Sequence, residues 1–275
     1  MLSKLAFFRL TPRKKCSTMG YRLPYSKQRE EITPMTQRNR RRKHLTLTWF
    51  GHSAFHLQPA LGPSILIDPW LDNPKAPPGA KDVAGADLIL VTHGHCDHIG
   101  NTLDIARRTG ARIISIHEIS LYFRSLGLEG ASGMNKGGTM SLDGVSITMT
   151  DAKHSSDIDV DQKIVCGGEA AGFVVKFQDG YTVYHAGDTA LFGDMKFIGE
   201  LYKPDLALLP IGDLYTMGPR EAAVACTLIK PNVIIAMHYG TFPVLTGTPR
   251  ELRRHLPAAM KKRVIELIPG NPVTL

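Results

Sequence analysis

The sequence predicts an α/β fold in which two sheets are flanked by helices. Two observations carry this: both halves of the chain begin strand-rich, and each then passes into strand–helix alternation. A third observation, an apolar segment running into a dense group of histidines, puts a candidate site at a strand end. The carboxyl ends of strands are where sites tend to lie in α/β folds.

From Leu45 the pattern is that of strands. Leu45-Thr-Leu-Thr-Trp-Phe50 alternates as a half-buried strand should, and Ala54–Leu57 and Ser64–Asp68 follow with Gly/Pro punctuation. Residues 69–86, rich in Pro, Gly and Asp, read as a long loop. The apolar run Asp87–Thr92 reads as a buried strand. Thr102 to Arg108 is a short helix ending at Gly110, Arg112–Ile116 a strand, and His117 to Leu126 a helix. Residues 139–153 and 171–186 are hairpin strands, the latter turned by Asp179-Gly180. Alternation then resumes. A helix is expected near 190–201, a strand at 205–211, and a helix at 219–229 with Pro219 at its start. A strand at 233–238, a helix at 249–260 and a strand at 264–268 complete the pattern. No short repeat is visible, and residues 45–275 are expected to form one domain.

The composition is globular, with 43% hydrophobic and 21% charged residues. No apolar run approaches the roughly 18–20 residues that span a bilayer. The net charge of +8 is unevenly distributed. Residues 1–44 hold 13 Lys/Arg against Glu30 and Glu31, while the rest holds 20 Lys/Arg against 23 Asp/Glu. The body is therefore slightly acidic, which argues against a nucleic-acid partner for it. The leader, through Arg38-Asn-Arg-Arg-Arg-Lys43, has the composition of a disordered segment. It reads as a basic tail, a transit peptide, or an extension upstream of a start at Met19 or Met35, and the last is preferred. Cys16, Cys96, Cys166 and Cys226 lack CxxC spacing, which fits a reducing compartment. The expected location is cytoplasmic.

Residues 92–101 read Thr-His-Gly-His-Cys-Asp-His-Ile-Gly-Asn. His93, His95, Asp97 and His98 are costly to bury so close together without a partner ion, and they are ligand types for zinc and similar metals. His154, Asp188 and His238 also fall where predicted strands give way to loops. A lone histidine at such a place is more often a surface or capping residue, and His44, His56, His117 and His255 receive that reading. His185 is held open as a group supporting the site. His52 has two readings, at the metal edge or packed in a turn.

The series His93-x-His95-x-Asp97-His98, then His154, Asp188 and His238, resembles the ligand series of the metallo-β-lactamase fold superfamily, over essentially all of 45–275. Asp68 matches an aspartate that braces the metal site there. Gly51-His-Ser-Ala-Phe55, Asn135-Lys-Gly-Gly138, His185-Ala-Gly-Asp-Thr-Ala-Leu-Phe192 and Met237-His-Tyr-Gly-Thr-Phe-Pro243 are more specific. They resemble the UPF0173 group of metal-dependent hydrolases, which is related to ascorbate-6-phosphate lactonase. The resemblance implies an αββα sandwich with the site at one edge. It implies two divalent ions, zinc first with manganese or iron as alternatives. His93, His95 and His154 would hold one, Asp97, His98 and His238 the other, and Asp188 would bridge them. Such a pair holds a hydroxide at neutral pH and polarises a carbonyl or phosphoryl oxygen. Asp97 would orient the attacking water. The expected substrate is a small ester, lactone or phosphoester.

Cys96 sits at the variable position of the histidine motif and reads as a small buried residue rather than a redox-sensitive thiol. Other readings of the fold are a di-iron redox protein, a nuclease, and a metal-binding protein without turnover. The first typically carries glutamate where His95 stands, the second would want a basic face, and the third leaves seven filled ligand positions unused. Tyr215, Thr216, Met217, Tyr239 and Thr241 lie beside predicted site elements and are candidate pocket residues. Oligomeric state and substrate identity are not legible.

Overall fold

The computed structural model describes residues 44–82 and 85–275. The expectations for residues 1–43 lie outside the described residues.

The first half supplies β1 (Leu45–Trp49), β2 (Phe55–Pro59), β3 (Ile65–Ile67), β4 (Leu88–Leu90), β5 (Arg112–Ile116) and β6 (Ser132–Met134). Then come β7 (Thr139–Leu142), β8 (Val145–Asp151), β9 (Ile158–Val160), β10 (Lys163–Val165), β11 (Ala171–Lys176) and β12 (Thr182–His185). The last strands are β13 (Leu206–Pro210), β14 (Val233–Met237), β15 (Val264–Ile265) and β16 (Val273–Thr274). Among the described residues, two seven-stranded sheets form, ordered β16-β1-β2-β3-β4-β5-β6 and β7-β8-β11-β12-β13-β14-β15, beside the small β9–β10 hairpin. Each large sheet starts with three antiparallel pairings and ends with three parallel ones. Hairpins need only a tight turn, whereas parallel strands need crossovers. That is why each half reads first as strands and then as strand–helix alternation.

The helices are α1 (Cys96–Ile99), α2 (Thr102–Thr109), α3 (His117–Ser125), α4 (Met195–Tyr202), α5 (Pro219–Ile229), α6 (Pro249–His255) and α7 (Ala258–Lys261). α2 and α3 lie against β5, and α5 packs on both α4 and α6. The period-2 alternation of strands sorts the core into layers. Phe173, Val175, Val183, Leu206, Leu208 and Ile235 join Leu47, Phe55, Ile67 and Leu90 in the main core. Their neighbours Val174, Tyr184, Ala207, Leu209 and Ile234 point the other way, onto Met195, Ala222, Cys226 and Leu252. The result is an αββα sandwich. No helix among the described residues is long and apolar enough to cross a membrane.

Several expected boundaries are corrected. The helix predicted from 190 begins at Met195, because the preceding loop is held by tertiary hydrogen bonds, Ala190 N–H to Lys153 and Met217 N–H to Thr189. The helix predicted over 249–260 breaks at Leu256, which precedes Pro257 and is extended. The strand predicted over 264–268 ends at Ile265. The loop predicted at 69–86 holds a 3-10 turn, Ala80–Asp82.

Candidate metal centre

The site is built where strands end. His93 follows β4, and His98 sits on α1 directly beyond it. Asp68 follows β3, His154 follows β8, Asp188 follows β12 and His238 follows β14. His52 stands in the β1–β2 turn. His52, Asp68 and His238 take positive φ angles of 50°, 46° and 55°. Non-glycine residues rarely adopt that backbone, and it is concentrated at functional sites.

Gly94 lets the histidine motif lie against the His154 loop, since a side chain there would run into the Ser156 carbonyl. The Gly94 N–H donates to Ser156 Oγ at 3.2 Å, and that hydroxyl donates to the Gly167 carbonyl at 2.9 Å. Ser156 is thus a structural brace.

Two donor groups face the site, each with its ligand-type atoms within 4.8 Å of one another: His93, His95 and His154, and His52, Asp97, His98 and His238; a third such set, Asp68, His93 and His98, joins them from behind. In the first, His95 Nδ1 lies 3.1 Å from His93 Nε2 and 3.3 Å from His154 Nε2. Between the groups stands Asp188. Its Oδ2 is 2.9 Å from His238 Nε2, 3.3 Å from His98 Nε2 and 3.8 Å from His154 Nε2. The structure therefore brings together all seven residues singled out in the sequence.

Asp68 organises the ring nitrogens from behind. It accepts the Thr92 N–H at 2.8 Å, the Thr92 hydroxyl at 2.6 Å and His98 Nδ1–H at 2.8 Å. With its hydroxyl proton given to Asp68, Thr92 Oγ1 accepts Nδ1–H of His93 at 3.0 Å. Nδ1 of both rings is thereby committed to this outer shell, and Nε2 is the nitrogen that each turns into the site. Such outer hydrogen bonds fix the tautomer of a metal-binding histidine.

The electrostatics favour a cation. Burial pushes the His93 ring far below its ordinary pKa, and burial also lowers His95 and His154. Burial lowers His52 to about 4. Burial opposes charging of His98 too, but Asp188, Asp68 and Asp97 outweigh it and hold that ring well above its usual value. Burial opposes ionisation of Asp188, yet His238 and His98 hold it well below the carboxylate range. Asp97 is likewise lowered, against burial, chiefly by His98 and His52.

The donor set fits a bound metal. Asp188 Oδ1 and His98 Nε2 are buried without hydrogen-bond partners, and buried polar atoms are rarely left so. Imidazoles with carboxylates are ligands for zinc and neighbouring transition metals.

Other expectations are corrected. Cys96 is exposed on the first turn of α1, not buried, because its neighbours turn inward and it turns out. His185 is fully buried, but both ring nitrogens are used by backbone: Nε2 donates to the Ser53 carbonyl at 3.2 Å and Nδ1 accepts Gly187 N–H at 3.1 Å. It ties the two halves together. His56 is buried in the first sheet and is no surface group. Met217 belongs to the second core layer, so it lines no pocket. Tyr239 stacks on Trp49 at 5.5 Å, with Lys75 Nζ 4.8 Å from its ring, and Tyr215 is exposed. The lining the sequence reading missed is Trp70 and Phe242, stacked at 5.9 Å beside His52. The only sequence signal for them is large aromatics in Pro/Gly-rich loops.

Comparison with known proteins agrees with this geometry. The family model for the β-lactamase superfamily domain matches residues 64–239. A UPF0173 metal-dependent hydrolase of Methanosarcina mazei is 50% identical, over 84% of this chain and 99% of the relative. One from Rubrobacter xylanophilus is 53% identical, over 76% of this chain and 87% of the relative. Among solved structures, Igni18, a metallo hydrolase from Ignicoccus hospitalis, superposes with a TM-score of 0.75 at 42% identity, covering 84% of this chain and 98% of that one. The chain belongs to the β-lactamase superfamily, within its group of UPF0173 metal-dependent hydrolases.

Proposed function

We propose that this metal-dependent hydrolase works with two divalent ions, zinc foremost, on a small ester, lactone or phosphoester. His93, His95 and His154 would hold one ion, Asp97, His98 and His238 the other, with Asp188 shared. The observation that carries the reading is the position of Asp188 Oδ2, within 3.8 Å of ring nitrogens from both donor groups. Divalent ions bound there supply Lewis acidity, polarising a carbonyl or phosphoryl oxygen and lowering the pKa of water.

The chain's own residues supply position. Asp97 is the carboxylate that reaches solvent, its side chain 25% exposed against 0% for Asp68 and 2% for Asp188. It is therefore the group that orients incoming water. Trp70 and Phe242 form an apolar wall beside His52, against which the non-reacting part of a substrate can lie. The acidic body, net −3 over residues 45–275, favours a small substrate over a long nucleic acid.

Metal analysis of the purified chain, followed by a lactone, ester and phosphodiester panel with the metal restored, tests the reading. Two ions per chain and metal-restored turnover of one substrate class are expected. A chain that takes up no divalent ion, or full turnover after stripping, would end it.

A further inference from the structure

The β1–β2 turn carries a histidine that the ligand assignment leaves without a task. His52 is fully buried, and both of its ring nitrogens have specific partners. Its Nε2 lies 3.0 Å from Asp97 Oδ2, and its Nδ1 lies 3.0 Å from Thr241 Oγ1. A carboxylate only accepts, so Nε2 carries the ring proton and Nδ1 accepts the Thr241 hydroxyl. The main chain is held as tightly. The His52 carbonyl receives Trp49 Nε1–H at 2.9 Å and the backbone N–H of His238 at 3.0 Å. The ring packs 3.9 Å from that of His238, with the Trp70 ring edge-on at 5.1 Å.

Asp97 has no comparable anchor. It lies on a one-turn helix, partly open to solvent. The oxygen that His52 bonds is also the one facing the second donor group, 3.8 Å from His238 Nε2 and 3.9 Å from His98 Nε2. We infer that His52 is a positioning residue, which through a Thr241–His52–Asp97 hydrogen-bond chain keeps the Asp97 carboxylate turned toward His98 and His238. Remove the Nε2–H bond and the carboxylate is free to swing to water. The inference rests on the assignment of Asp97 as a ligand of the second ion and names what holds it there.

Two isosteric variants separate the arms of the ring. In His52→Gln, the side-chain amide N–H reaches the place of Nε2 and can still donate to Asp97. In His52→Asn, the shorter side chain reaches only the place of Nδ1, and asparagine tolerates the positive φ of this turn. Zn²⁺ stoichiometry and affinity would be measured by chelator competition on the full chain, with melting of the metal-free proteins alongside. Asp97→Asn serves as the reference for loss of the second ion. In His52→Asn the weaker Zn²⁺ affinity should fall by about 10–100-fold, the usual scale for an outer hydrogen-bond partner, while the tighter ion is unchanged. His52→Gln should restore most of it, and Thr241→Val should weaken it less than His52→Asn. Wild-type affinity in His52→Asn would overturn the inference. Equal loss in Gln and Asn variants that melt like the wild type would also overturn it, marking the imidazole as a direct ligand. A wild-type chain holding a single ion would defeat the two-ion reading instead. The Gln–Asn contrast is then read on that ion, and equal affinities overturn the role of His52.

Discussion

Asp188 Oδ2 meets His238 Nε2 at 2.9 Å, although β13 separates the strands from which the two residues emerge. The contact is possible because both side chains leave the carboxyl ends of parallel strands and turn inward over β13. Asp188 is 2% exposed and its second oxygen has no partner in the protein. Replacing it by alanine takes away the shared carboxylate and leaves His98 and His238 facing each other. Asp188→Ala is expected to abolish metal-dependent hydrolysis and to release at least one ion per chain, with the far-UV dichroism unchanged. Full activity after metal stripping of that variant would refute the mechanism.

Asp68 acts one layer further back. It orients His98 directly and His93 through the Thr92 hydroxyl. Asp68→Asn keeps the shape but offers an amide N–H where an acceptor is needed. Metal affinity is expected to drop by about 10–100-fold, with both donor groups affected. Titration with a competing chelator measures this.

Stability should depend on pH through buried neutral histidines. Burial lowers the pKa of His56 and of His185 below the ordinary 6.5. Above pH 6.5 both rings are neutral folded or unfolded, so they contribute no slope. Below it the unfolded chain takes up protons that the folded chain refuses, and stability falls toward the lowered folded pKa. His56 Nε2 has no hydrogen-bond partner to lose. In metal-free protein His56→Leu should therefore raise the melting temperature relative to wild type at pH 5 and change it little at pH 7.5. An equal shift at both values would show that His56 stays uncharged for another reason.

Gly94→Ala tests the seam between the histidine motif and the His154 loop. The added methyl meets a backbone carbonyl, that of Ser156, which cannot rotate away. Overpacking of this kind costs about 1–3 kcal/mol. Urea unfolding should show that loss, and separation of His93 and His95 from His154 should weaken binding of the first ion.

Trp70 and Phe242 stack at 5.9 Å on the solvent side of His52, and Phe242 is 40% exposed. Phe242→Ala removes apolar surface without touching a donor atom. For an ester series of increasing acyl length, KM should rise several-fold for the longer members while kcat holds. A uniform fall in kcat would instead place Phe242 in the support of the site.

Much of the fold was open to sequence reading because its signals are local. Alternating Leu45–Trp49, the Asp179-Gly180 turn and Pro219 at a helix start depend on neighbours alone. The short β6, the β9–β10 hairpin and the two-residue β16 were missed, since two or three residues carry no period. β16 exists because β1 offers it an open edge.

The site divides in the same way. The sequence by itself determined the donor types, their crowding at 93–98 and the places where strands end, because side-chain chemistry and hydrophobic period are written residue by residue. Tertiary structure alone decided the rest. It turned His185 to the backbone and Cys96 to solvent, set Asp188 between two groups of histidines, and brought His52 from the first turn against Asp97 and Thr241. Those outcomes depend on which sheet edges face each other and on the register of strands far apart in the chain, and no stretch of sequence records either.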